Sequence, residues 1–116
     1  MASFQVKQRK TEGVAVLDLS GRIVLGEETT RLEETLKALI ASGEKKVLLN
    51  LAEVTYIDSG GLGALVRSQT AALALEGRIK LLNVPDKVKT LLRITKLQGP
   101  FEMFDDEASA VRSFGQ

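Results

Sequence analysis

The residues best suited to chemistry are Asp58 and Ser59, followed directly by Gly60, Gly61, Leu62 and Gly63. A carboxylate beside a hydroxyl, ahead of a glycine-rich stretch, allows three kinds of chemistry. The serine could act as a nucleophile. The bare backbone could hold a phosphate. The hydroxyl could be the target of a modifying enzyme or a binding partner.

The rest of the sequence weighs against the first two. A hydrolase nucleophile elbow needs glycine two residues before and two after its serine; Gly61 fits, but the earlier position is Ile57. The chain has no histidine, so a Ser-His-Asp mechanism is unavailable. Lys45 and Lys46 lie far back along the preceding strand. Gly61-Leu62-Gly63-Ala64-Leu65-Val66 lacks the third glycine of a dinucleotide fingerprint, and no Gly-Lys-Ser/Thr follows as in a P-loop. Free N–H groups at a helix start could still hold a phosphate weakly, opposed by the charge of Asp58. No catalytic residue and no cofactor is expected. With no cysteine there is neither a disulfide framework nor thiol chemistry. The carboxylate cluster Asp105, Asp106 and Glu107 suits a helix N-terminus better than a metal ion, so no metal site is expected. A formal net charge of +1, with basic residues interspersed among acidic ones and no interleaved aromatics, gives nucleic-acid binding little support. Lys87, Lys89 and Arg93 read as the solvent face of a helix.

The elements that must position Asp58 and Ser59 follow from hydrophobic period. Val47, Leu48 and Leu49 are consecutive and apolar, which predicts a strand over 46–51 buried on both faces of a parallel sheet. Leu62, Leu65, Val66 and Leu73 predict the buried face of a helix running to about Leu75. Asp58 and Ser59 therefore fall where a strand-to-loop segment becomes a helix, and either could cap its unpartnered N–H groups. An ordinary cap is the plainest account of the pair. Two candidate caps in tandem, and three glycines that weaken a helix by roughly 1 kcal/mol each relative to alanine, instead suggest a backbone left open to a visiting molecule.

Around this centre, Phe4 and Val6 alternate with polar residues as a first strand. Thr11-Glu12-Gly13 turns it into a second, over about 14–19, ending at Ser20-Gly21. Thr30 and Glu33 are spaced as a capping box, and Leu32, Leu36, Leu39 and Ile40 trace a helix stripe ending at Ser42-Gly43. A fourth strand spans 79–84. Pro85 opens a helix whose buried face is Val88, Leu91 and Leu92. Residues 95–99 form a connector, 101–104 a short last strand, and Asp105-Asp106 cap a final helix bearing Ala110, Val111 and Phe114. The fold class is α/β: one domain over residues 1–116, a mixed and mostly parallel sheet of about five strands with an antiparallel N-terminal hairpin, and about four helices. In open sheets of this kind, sites lie beyond the carboxyl ends of the strands, so Ser59 is expected exposed on that rim.

Asp58-Ser59-Gly60-Gly61-Leu62-Gly63, after an apolar strand and before an amphipathic helix, resembles the motif of the STAS family, and more narrowly of bacterial anti-sigma factor antagonists. Leu81-Leu82-Asn83-Val84 and Val88-Lys89-Thr90-Leu91-Leu92 extend the resemblance over nearly the whole chain. It implies that Ser59 is phosphorylated by a partner that is both anti-sigma factor and serine kinase, that a serine phosphatase reverses this, and that residues 58–63 meet the partner. Two positions depart from the family pattern. Gly60 stands where relatives often carry Ser or Thr, and Val24 stands where an acidic residue is common. The family also contains non-phosphorylated interaction modules of transporters, lipid-trafficking systems and signalling assemblies, which is the alternative implied. Residues 1–7 lack an apolar signal core and no run approaches a membrane span, so a cytoplasmic protein is expected; oligomeric state is left open.

Overall fold

The computed structural model describes residues 4–97 and 99–115. The N-terminal reading at residues 1–3 and the connector position Gln98 lie outside them. Five strands form one sheet in the order of the chain: β1 (Gln5–Thr11), β2 (Val14–Ile23), β3 (Lys46–Ile57), β4 (Arg78–Leu82) and β5 (Met103–Phe104). The β1–β2 hairpin is antiparallel and every other pairing is parallel. Four helices, α1 (Glu27–Ala41), α2 (Ser59–Ala74), α3 (Asp86–Ile94) and α4 (Glu107–Arg112), link or follow the parallel strands.

Each parallel strand from β3 to β5 is added on the same edge of the sheet. Crossovers of one hand then carry α1, α2 and α3 to the same face. Side-chain alternation along the strands sorts the core accordingly. Leu17, Leu19, Val47, Leu49 and Leu51 join Leu32 and Leu36 of α1, Leu62 and Leu65 of α2, and Val88 and Leu92 of α3 in the main cluster. Val14, Val16 and Leu48 point the other way and pack with Leu82, Ala110 and Val111, so α4 covers the opposite face.

Several elements differ from their sequence expectations. Strand β2 continues through Gly21 to Ile23 and β3 through Ala52 to Ile57, because the two pair in parallel along that whole length, with register irregularities between Asp18 and Ser20 and between Gly21 and Arg22. The last strand starts at Met103 rather than residue 101; Phe101 is buried in the main core without pairing. Helix α1 starts at Glu27 with Gly26 as its cap, and only the return half of a capping box is present: Thr29 Oγ1 accepts from Gly26 N at 3.1 Å. Thr30 and Glu33 therefore do not form it; Glu33 pairs instead with Arg67 of α2 at 2.9 Å. On α2 the buried face carries Leu62, Leu65, Ser68, Gln69 and Ala72, and Leu73 is turned to solvent. The amide of Gln69 explains the polar position: it donates to the carbonyls of Ile79 and Pro100 and accepts from Ile79 N, each at 2.9 Å. The buried Lys80 is likewise partnered. Its Nζ donates to the carbonyl and hydroxyl oxygens of Ser113 at 2.9 Å and lies 4.6 Å from the centre of the Phe114 ring.

Candidate functional site at the start of the second helix

Strand β4 pairs with β3 only as far as Asn50, so residues 51–57 of β3 extend beyond it, held on one side by β2. This overhang carries the chain past the carboxyl end of β4 before α2 begins. Asp58 is the N-cap, in extended conformation. Its Oδ1 accepts from Gly61 N at 2.7 Å and its Oδ2 from Leu25 N at 3.3 Å, while its own N–H donates to Ile23 O at 3.3 Å. One carboxylate thus satisfies a helix-start donor and pins the β2–α1 connection to the start of α2. The cap expected of the Asp58–Ser59 pair is Asp58 alone.

Ser59 is the first residue of α2 and is exposed. Its hydroxyl makes no hydrogen bond among the described residues, so it is free for an incoming group. The N-terminus of the 16-residue α2 presents backbone N–H groups and a positive dipole end at this position.

The glycines serve packing inside the molecule. A Cβ on Gly61 would stand 2.2 Å from Ile23 O and 2.9 Å from Ile57 Cγ1; one on Gly60 would stand 2.5 Å from Leu25 Cβ. Their bareness lets the end of β2 and the loop after it press against the helix start, which corrects the expectation of a backbone left open for a visitor. Gly63 is less constrained, its nearest contact being the mobile end of Arg67 at 3.3 Å. Of the six positions 58–63, Gly61 and Leu62 are buried, Leu62 at 1% exposure, and cannot be direct contacts of a partner in this conformation. Asp58, Gly60 and Gly63 are half-buried, and Ser59 is the open one.

Sequence reasoning missed the residues that surround Ser59. Leu25, held over Gly60, is 70% exposed. Tyr56 is 50% exposed, with the Arg22 guanidinium 5.1 Å from its ring centre. A groove of about 550 Å³ runs from Val54 through Ser59 to Pro85, Lys87 and Leu91 of the α3 region. Thr55-Tyr56, two consecutive residues that break the apolar run of β3 and are both exposed, were the available signal for Tyr56. Val24, where the family pattern favours an acid, is half-buried.

This sheet order, with a capped helix start that presents the Ser59 hydroxyl, defines a small α/β domain with a rim-exposed serine. The chain belongs to the STAS domain family, whose sequence model matches residues 5–110. It is 34% identical over 67 residues to the anti-sigma-B factor antagonist of Staphylococcus aureus, a match spanning 58% of this chain and 62% of that protein. Two solved structures share the fold. An anti-sigma factor antagonist from Mycobacterium paratuberculosis superposes with a TM-score of 0.79 at 20% identity, covering 96% of this chain and 93% of the other. The Bacillus cell fate determinant SpoIIAA in its phosphorylated form superposes at 0.72 with 22% identity, covering 97% and 99%. Among the described residues no helix is long and apolar enough to cross a membrane, and no cluster of three potential metal-ligating side chains occurs.

Proposed function

We propose that the chain is an anti-sigma factor antagonist controlled by phosphorylation of Ser59. The unmodified form binds an anti-sigma factor that is also a serine kinase, and so frees the sigma factor. The kinase then moves the γ-phosphoryl group of ATP onto Ser59 Oγ; the hydroxyl proton passes to a base of the kinase and ADP leaves. A serine phosphatase hydrolyses the phosphoester and restores the binding form. The supporting observation is the exposed, unbonded Ser59 hydroxyl at the first position of α2, next to a carboxylate already committed to Gly61 and Leu25.

The physics favours a switch in binding rather than in folding. Phosphorylation adds about −1.5 to −2 charges. The positive end of α2 offsets part of that charge, by roughly 0.3–1 kcal/mol at an exposed site, so the domain stays folded. A partner that covers Ser59 would have to bury a dianion beside Asp58, and uncompensated burial of charge is costly. The proposed contact surface is Ser59 with Leu25, Tyr56 and Arg22, since exposed tyrosine and arginine are the side chains most often found at binding hot spots. Titration of the cognate anti-sigma factor with Ser59→Asp should give binding at least about tenfold weaker than wild type, ~1.4 kcal/mol. Equal binding of the two would contradict the switch. A constitutive interaction module, the alternative within the family, would bind its partner with no modification of Ser59 at any stage.

A further inference from the structure

Strand β4 stops at Leu82 because the chain turns away there. Asn83 takes the left-handed conformation, at φ 55°, and Pro85 then caps α3. Asparagine visits that conformation more readily than most residues. On this side β3 runs on alone through residues 51–57, about 20 Å at ~3.3 Å per residue. A groove of about 550 Å³ opens beside it, lined by residues 54–59 and, from the segment that follows β4, by Pro85, Lys87, Val88 and Leu91.

The register of β3 fixes which main-chain groups face that groove. Ile57 pairs with Ile23, and Asp58 N donates to Ile23 O at 3.3 Å. Successive residues of a strand turn their N–H and C=O groups to opposite edges. Those of Tyr56 and Asp58 therefore face β2, and those of Ile57 face the edge that β4 has left. Outside the β2–β3 ladder, residues 53–57 take part in no hydrogen bond among the described residues. An unpaired edge is a template for a further strand, and residues 51–57 carry neither the lysine nor the proline that commonly blocks one. The charge of the groove is also unmatched. Of its two charged lining residues, Asp58 is committed to Gly61 N and Leu25 N, while the exposed Lys87 makes no ion pair among the described residues.

We propose that the partner that covers Ser59 lays an extended acidic segment of its own chain into this groove, as a strand added beside the overhang of β3. Its main chain bonds the N–H and C=O of Ile57, and an acidic side chain faces Lys87. A strand of ordinary length, about five or six residues, fits the overhang. This mode of binding rests on the proposed function, because it describes how the anti-sigma factor grips the rim beside Ser59. Amide hydrogen exchange is followed in the ¹⁵N-labelled full chain, alone and saturated with the unlabelled cognate anti-sigma factor. The Ile57 N–H should exchange at least about tenfold more slowly in the complex, the value of one net hydrogen bond. Lys87→Glu, at an exposed position of α3, should keep the fold and weaken binding about fivefold, the value of a partly exposed ion pair. Strand addition is overturned, with the partnership left standing, if the complex forms and the Ile57 N–H exchanges as it does in the free chain, or if Lys87→Glu binds as tightly as wild type. No binding of the anti-sigma factor at all would instead refute the proposed function, and strand addition with it.

Discussion

A single methyl group added at Gly61 would collide with a backbone oxygen, Ile23 O, at 2.2 Å, and neither partner is a flexible side-chain end. Gly61→Ala should therefore cost about 1–3 kcal/mol, as overpacking of a close contact does. Gly63→Ala meets only the end of Arg67 and gains helix propensity, so it should be neutral or stabilising by up to about 1 kcal/mol. Chemical denaturation of the two variants checks the contrast; similar gains for both would show that helix propensity alone decides and that the close approach of Ile23 O to Gly61 does not matter. The capping role of Asp58 and the placing of a serine at the helix start were legible in residue type and order. The role of Gly60 and Gly61 was not, because the atoms they make room for belong to Ile23 and Leu25, more than thirty residues earlier in the chain.

Between elements, ion pairs and buried polar groups supply links that hydrophobic period does not reveal. Arg9 of β1 donates to Asp18 of β2 at 2.7 Å and to Glu107 of α4 at 2.6 Å, tying the hairpin to the last helix. Bonding to Arg9 is the main cause that holds the Asp18 carboxyl below its usual 3.8 and the Glu107 carboxyl below its usual 4.5, with burial opposing it. Both folded-state values are depressed, so this contribution is present above the ordinary carboxylate range and is lost as pH falls through the lowered values. These side chains are partly exposed, which keeps the link to about 1 kcal/mol or less. Arg9→Met should lower stability at pH 7 and should converge with wild type near pH 2; a pH-independent difference would assign the loss to packing instead. Gln69→Ala leaves the Ile79 amide and two carbonyls without their partner and should cost about 1–3 kcal/mol in urea unfolding. Sequence spacing located α1 and α2. It misplaced the α1 capping box and put Leu73 in the buried face, since a glycine cap and a buried glutamine both break the simple pattern.

Over the whole molecule, strand–helix alternation was enough to give a mostly parallel sheet with an antiparallel hairpin, and the family match agrees with it. The alternation did not say which face each helix would take. That follows from the order β1-β2-β3-β4-β5, in which successive crossovers add to one edge and leave only α4 for the other side. The same order leaves the far half of β3 unpaired by β4 and lifts Tyr56 and Ser59 to the rim. The Ser59 hydroxyl at that rim is the group on which the proposed switch rests.

The most direct test is intact-mass and peptide-level mass spectrometry of the wild-type chain after incubation with ATP and its anti-sigma factor kinase. One added phosphate, mapped to Ser59 and missing from Ser59→Ala, is the expected result. A chain that binds the kinase yet stays unmodified, or takes its phosphate on another residue, would contradict the proposed switch.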